Sequence, residues 1–265
     1  MTDALATQAV AVSFGGVAAL RGVDIRVAPG EIVGIIGPNG AGKTTLFDAI
    51  SGLNDATGSV SLGGRDLSKA APHVRSRAGL GRSFQDARLF HTMTVVDTLR
   101  TAYERHIGAG SGVIATLLGG KAAVASEKAS EERARHAIDQ FGLHSYADKL
   151  IGELSTGTRR VVDLAGLVIA TPTVILLDEP SSGIAQREAE ALDPLVRRIR
   201  DDLGCAIVII EHDMPLLLGL AERVYAMETG SIIAQGTPGQ VIANDDVIRS
   251  YLGTNAAALE RSGKR

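Results

Sequence analysis

Residues 31–51 constrain the fold of this chain more than any other stretch. Glu31-Ile-Val-Gly-Ile-Ile36 is an apolar run of strand type, and Gly37-Pro-Asn-Gly-Ala-Gly-Lys-Thr44 is a glycine-rich loop. From Lys43 to Ser51, Leu46, Phe47 and Ile50 then fall on one helical face. Strand, loop and helix supply the context that the phosphate-binding pattern G-x-x-x-x-G-K-[ST] requires. Its glycines let backbone N–H groups turn inward around an anion, and the following helix presents its positive end. Lys43 reaches terminal phosphates, and the Thr44 hydroxyl can ligate Mg²⁺. The nucleotide-holding residues expected here are Gly37, Pro38, Asn39, Gly40, Ala41, Gly42, Lys43, Thr44 and Thr45. An ordinary glycine-rich turn is the plainer reading of the same residues.

Two further apolar runs, Val174-Ile-Leu-Leu177 and Ala206-Ile-Val-Ile-Ile210, flank a charged helical segment from Arg187 to Arg200. That alternation belongs to a parallel sheet covered on both faces, so the core is expected to be α/β. The first run ends in Asp178-Glu179-Pro180, at the strand end where open α/β sheets place their ligands. Asp178 suits a metal shell, and Glu179 suits proton transfer from an attacking water. Acids that merely end a strand in solvent are the alternative.

Ahead of this core, Ala9–Phe14, Val23–Val27 and Gly58–Leu62 read as strands of a β-rich opening broken at Gly15-Gly16. From Thr94 to Ala147 the chain turns alanine-rich and charged. Glu127–Ile138 has amphipathic helical spacing, and Gly108–Gly120 reads as a loop or broken helix. One domain over 5–253 is expected, holding a helical subdomain at about 94–165, with 254–265 as a flexible tail.

Composition excludes several roles. With 27 Lys and Arg against 30 Asp and Glu, the net charge of -3 gives no basic field for nucleic acid. Aromatic content of 3% without Trp argues against a base-stacking platform. The single Cys205 cannot form an internal disulfide and fits a reducing, cytoplasmic compartment as a buried strand residue. The N-terminus lacks a secretory n-region, and no apolar stretch reaches the ~20 residues that span a bilayer, so any membrane role must come through a partner.

Between the phosphate loop and Asp178 lies Glu153-Leu-Ser-Thr-Gly-Thr-Arg-Arg160. This segment resembles the signature sequence of ATP-binding-cassette (ABC) ATPases, and with the other two motifs it makes almost the whole chain resemble that family. The resemblance implies a P-loop NTPase of ABC type, with an N-terminal antiparallel β-subdomain and a helical subdomain, that binds ATP and Mg²⁺ and closes as a dimer. It implies that Ser155 and Gly157 cap the ATP of the opposite subunit, and that Gln85 in Arg82-Ser-Phe-Gln-Asp86 contacts Mg²⁺ beside Thr44 and Asp178. It implies also that His212 in Ile209-Ile-Glu-His-Asp213 is the switch histidine that holds the γ-phosphate and positions Glu179. Phe14 is the aromatic placed to stack on adenine, although a core position on the first strand would look the same. Taken singly, Leu154–Thr158 is a helix-capping sequence and His212 a structural strand-end residue. Thr156, Thr158 and Ala185 depart from the family's usual Gly, Gln and Asp, which leaves inter-subunit coupling less defined than nucleotide binding. The missing acid at Ala185 either weakens the dimer contact across the second site or leaves the partner chain to supply it, which would favour an unlike second ATPase.

Phe14-Gly-Gly, Gln85-Asp-Ala-Arg-Leu-Phe90 and Val247-Ile-Arg-Ser-Tyr-Leu-Gly253 resemble the ATPases of bacterial branched-chain-amino-acid importers. That implies transmembrane permease partners, a second ATPase subunit, an extracytoplasmic solute-binding protein acting indirectly, and a place on the cytoplasmic face of the membrane. Phe90, Met93 and the loop after Gln85 form the region expected to receive the permease. The alternatives are a non-transport ABC ATPase acting on a soluble assembly, a cassette cut from a permease fusion, and a binding module without catalysis. Ribosomal members carry two cassettes with basic linkers and repair members a long coiled coil, features this sequence does not show.

Overall fold

The computed structural model describes residues 2–84, 89–103, 121–184 and 189–251. The segment Gly108–Gly120 and the tail from 254 lie outside the described residues, as do Gln85 and Ala185. An antiparallel sheet has the order β2-β1-β4-β5, built from β1 Leu5–Phe14, β2 Val17–Val27, β4 Thr57–Leu62 and β5 Arg65–Asp66. The second sheet runs β10-β9-β3-β8-β7-β6, with β3 Ile32–Ile36, β6 Leu80–Arg82, β7 Val174–Asp178, β8 Ala206–Ile210, β9 Arg223–Glu228 and β10 Ser231–Gly236. All its pairings are parallel except β10 with β9.

The opening hairpin is longer than the expected Ala9–Phe14 and Val23–Val27. Register shifts between Thr7 and Val10 mark a bulge, and Ala9 has a φ of 49°. On β2 the buried positions jump from Leu20 to Val23 across Arg21-Gly22. Extra residues of this kind break the period of two by which a half-buried strand is recognised.

Among the described residues the α-helices are α1 Lys43–Ser51, α2 Pro72–Arg77, α3 Val95–Tyr103, α4 Lys121–Gln140, α5 Thr156–Ile169, α6 Leu192–Leu203, α7 Met214–Leu220 and α8 Pro238–Ile242. Helix α5 begins at Thr156, inside the expected capping sequence Leu154–Thr158, because the Ser155 side chain caps it by accepting the Thr158 N–H at 3.1 Å. Helix α6 runs past Arg200 to Leu203 and ends at Gly204, whose φ of 61° suits glycine at a helix C-terminus.

The central strands divide their side chains between two cores. Val33, Ile35, Val208 and Ile210 face the antiparallel sheet and α1, whereas Ile32, Ile207 and Ile209 face α6 and α7. This is the alternation of a pleated strand with both faces covered. A third cluster joins Val95 and Leu99 of α3 and Ala134 and Ile138 of α4 to Val162 and Ala165 of α5. Helix α5 also contributes Leu164 to the core beneath the parallel sheet, so it connects the helical part to the strands.

Candidate nucleotide site

Strands β3, β8 and β7 are adjacent and parallel, so the loops at their C-terminal ends share one edge of the sheet. Those loops carry Lys43, His212 and Glu179. Two glycines are demanded by the loop after β3. Gly42 has φ 99°, and a Cβ there would meet the Ala19 carbonyl at 2.8 Å. A Cβ on Gly37 would lie 2.2 Å from the Met227 carbonyl. The loop thus nests against the β9–β10 turn, where the Gly230 N–H donates to the Ala41 carbonyl at 2.9 Å.

Lys43 is buried, and its Nζ donates to the carbonyls of Gly37 at 2.7 Å and Pro38 at 3.2 Å. Burial lowers its pKa, opposed by the negative charges of Glu179 and Asp178. Both acids therefore lie within electrostatic reach of the ammonium. Asn39, Gly40 and Thr44 are exposed, while Ala41 is buried and supports the loop from below.

Glu179 leaves β7 with φ 49°, a left-handed conformation costly for a side chain with a Cβ. Its N–H donates to the Ile210 carbonyl at 2.9 Å, which fixes the turn onto the end of β8. From that turn Glu179 Oε1 lies 2.8 Å from His212 Nε2. The two predicted residues are brought into contact from separate strands. Asp178 is buried, and burial raises its pKa against the Arg82 guanidinium, whose Nη2 donates to Oδ2 at 3.3 Å.

Several supporting residues were not identified from the sequence. Glu211 is buried and accepts the Ser181 N–H and hydroxyl, each at 2.7 Å, and the His212 N–H at 3.0 Å. It thereby joins the turn after Glu179 to the histidine. Arg160 of α5 donates to the Phe84 carbonyl at 2.6 Å and to the Glu179 carbonyl at 3.4 Å. Arg82 pairs with Asp48 at 2.6 Å as well as with Asp178. The Tyr251 hydroxyl accepts the Gly37 N–H. An acid next to His212 and the arginine after the signature were visible as residues, but their partners are remote in the chain.

Ser155 and Gly157 stand at the start of α5, where the Ser155 hydroxyl is engaged by Thr158 of its own chain. Thr156 and Thr158, the departures from the family's usual residues, are thus capping neighbours here: Arg159 donates to the Thr156 hydroxyl at 3.3 Å. Phe14 is 53% exposed at the tip of the opening hairpin, so it is not a core residue. Strand β2 of that hairpin touches the phosphate loop through Ala19 and Leu20.

A glycine-lined loop between a buried strand and a helix, with a lysine at its end and two acids at the end of β7 within electrostatic reach of it, defines a P-loop nucleotide-binding protein. Residues 20–182 match the family described as ABC transporter, and residues 231–257 match branched-chain amino acid ATP-binding cassette transporter. The chain belongs to the ABC transporter family and is an ATP-binding, ATP-hydrolysing subunit of a transporter. It is 35% identical over 241 residues to the high-affinity branched-chain amino acid transport ATP-binding protein BraF of Pseudomonas aeruginosa, covering 91% of this chain and 94% of that one. The lipopolysaccharide export system ATP-binding protein LptB of Escherichia coli is 32% identical over 251 residues, covering 94% and 97%. A crystal structure of a nucleotide-free ATP-binding cassette from an ABC transporter superposes with a TM-score of 0.80 at 30% identity, covering 95% of this chain and 99% of that one.

Proposed function

We propose that this chain drives import of branched-chain or related amino acids by hydrolysing ATP at the cytoplasmic face of a membrane, as one of two ATPase subunits under transmembrane permeases. The observation that carries the catalytic part is the 2.8 Å contact between Glu179 and His212 beside Lys43. The import part rests on the likeness to BraF and on the match of residues 231–257. Among the described residues no helix is long and apolar enough to cross a membrane, so membrane attachment falls to the permease partners.

In this reading Lys43 exchanges its loop carbonyls for the terminal phosphates, and the backbone from Gly37 to Thr45 cradles the rest. Glu179 takes the proton of the attacking water as the new O–P bond forms and the bond to the ADP oxygen breaks, while His212 holds the carboxylate in place. Thr44 and Asp178 offer hard oxygen donors of the kind Mg²⁺ prefers, with Gln85 as the further ligand the resemblance implies. The metal, when bound, neutralises charge on the phosphates. Ser155 and Gly157 cap the nucleotide of the opposite subunit, and Phe14, exposed on the hairpin, stacks on adenine. An extracytoplasmic solute-binding protein would deliver the cargo to the permeases.

Export is the second reading, favoured by the likeness to LptB over nearly the whole chain. Reconstituting this chain together with its permease partners in vesicles with ATP decides between them. Accumulation of leucine, isoleucine or valine dependent on a solute-binding protein supports import. ATP-dependent loss of a lipid-like cargo without amino-acid uptake would refute it.

A further inference from the structure

A cavity of about 160 Å³ lies between α4, the C-terminal end of α5 and α6, and no residue of the nucleotide loop lines it. Helix α4 contributes Arg133, His136 and Gln140, whose spacing of three and four residues puts them on one face. Helix α6 opposes them with Arg198 and Asp202. Beneath these polar side chains the floor is apolar, built from Phe141, Ile169, Leu195 and Ile199. Ile169 and Ile199 are buried, and Phe141 packs both on the core beneath the parallel sheet and on the core of the helical part.

Among the described residues the Arg133 guanidinium and the His136 ring make no hydrogen bond or ion pair, whereas Arg198 Nε lies 3.4 Å from Asp202 Oδ2. The opening therefore holds two guanidinium groups and an imidazole against one carboxylate, and that carboxylate already has a partner. The surplus is cationic. Arg133 offers its planar fork of N–H donors, which matches a carboxylate or a phosphate. Asp202 on the opposite wall repels a doubly charged phosphate more than a singly charged carboxylate. The volume is well under the ~300 Å³ at which sites for drug-sized ligands begin, so a nucleotide or a long acyl chain does not fit.

We propose that this cavity binds a small carboxylic acid with a short branched hydrocarbon body, its carboxylate on Arg133 and its body on Phe141, Ile169 and Leu195. Branched-chain amino acids and the acids that remain when the amino group is removed share this chemistry. In the amino acid the ammonium has acceptors in Asp202 and the Gln140 side-chain oxygen. A ligand held here touches α4, α6 and the last turn of α5, the helix whose first turn carries Gly157. Occupancy thus joins the signature-bearing helix to the layer beneath the parallel sheet. The site goes beyond the transport reading, and its test on the purified chain does not depend on that reading.

Calorimetric titration and thermal melting of the purified full chain use isocaproate, which is leucine without its amino group, the neutral isocaproamide, and leucine itself. Isocaproate is expected to bind with a Kd of about 1 mM or below and to raise Tm as its concentration increases. The amide is expected to bind at least about tenfold more weakly. Arg133→Gln and Gln140→Glu, both at the mouth of the cavity, are each expected to weaken isocaproate at least about tenfold, with the melting temperature of the ligand-free variants reporting their folding. Saturating ADP is expected to leave isocaproate bound. Leucine binding as tightly as isocaproate or more tightly assigns the site to the amino acid, and binding of isocaproate alone assigns it to the deaminated acid. No binding of either acid at about 10 mM, equal affinity for the amide, unchanged affinity in a folded variant, or displacement by ADP overturns the site.

Discussion

The Tyr251 hydroxyl accepts the N–H of Gly37 at 2.8 Å, joining residues 214 apart in the chain. Gly37 in turn offers its carbonyl to Lys43 Nζ at 2.7 Å. The peptide that opens the phosphate loop is thus held on one side by the C-terminal segment and on the other by the lysine. Removing the hydroxyl leaves an amide in a buried loop without its acceptor, a loss of about 1–3 kcal/mol. Tyr251→Phe is expected to raise the KM for ATP about three- to tenfold with kcat nearly unchanged. Unchanged KM would show that the loop holds its shape without this contact.

Gly42→Ala is expected to cost more than a routine substitution. Its φ of 99° disfavours any Cβ, and the added carbon would meet the Ala19 carbonyl at 2.8 Å and Leu20 Cδ2 at 2.9 Å. A loss of stability of about 2 kcal/mol is expected, measured by denaturant unfolding, together with at least about tenfold weaker ATP binding by titration. A variant of wild-type stability and affinity would mean that the loop relaxes away from β2 at no cost.

Glu179→Gln keeps the side chain's size and removes its basicity. ATP binding is expected to survive while kcat falls about 10²- to 10⁴-fold. His212→Ala is expected to lower kcat in the same direction, because the 2.8 Å contact that orients the carboxylate is lost. Steady-state hydrolysis and nucleotide binding measured on the same preparations separate the two effects. Hydrolysis at the wild-type rate by Glu179→Gln would remove the general-base role.

Asp163 makes stability depend on pH in a defined window. Burial raises its folded pKa to about 7, above the ordinary 3.8, so the folded chain binds more protons than the unfolded chain between those values. Stability is therefore lost as pH rises from about 4 to 7, and the loss is complete above 7. Asp163→Asn removes the titration. The variant should gain stability over wild type as pH rises, by up to about 4 kcal/mol at pH 8 relative to pH 4. Denaturant unfolding of both proteins across that range checks it; a difference independent of pH would place the carboxyl in an ordinary solvated state.

The phosphate loop, the three apolar strands of the parallel sheet and the capping serine of α5 were legible because each is local. Glycine at fixed offsets, unbroken apolar runs and a hydroxyl before a helix state their structure within a few residues. The length of the opening hairpin was not, since the bulges near Ala9 and Gly22 shift the alternation that reveals a strand. Nor could sequence separate an adenine-facing Phe14 from a core one, because both end the same apolar run; burial in three dimensions leaves it exposed. Glu179 and His212 were identifiable as an acid and a base at two strand ends, but their contact exists only because β7 and β8 are neighbours in the sheet. The bonds of Tyr251 to Gly37 and of Arg160 to Phe84 and Glu179, and the burial of an Asp163 oxygen without a hydrogen-bond partner among the described residues, were likewise decided by packing. Hydrogen bonding and burial depend on which distant segments meet, whereas glycine geometry and apolar periodicity are properties of the chain at the place where they are read.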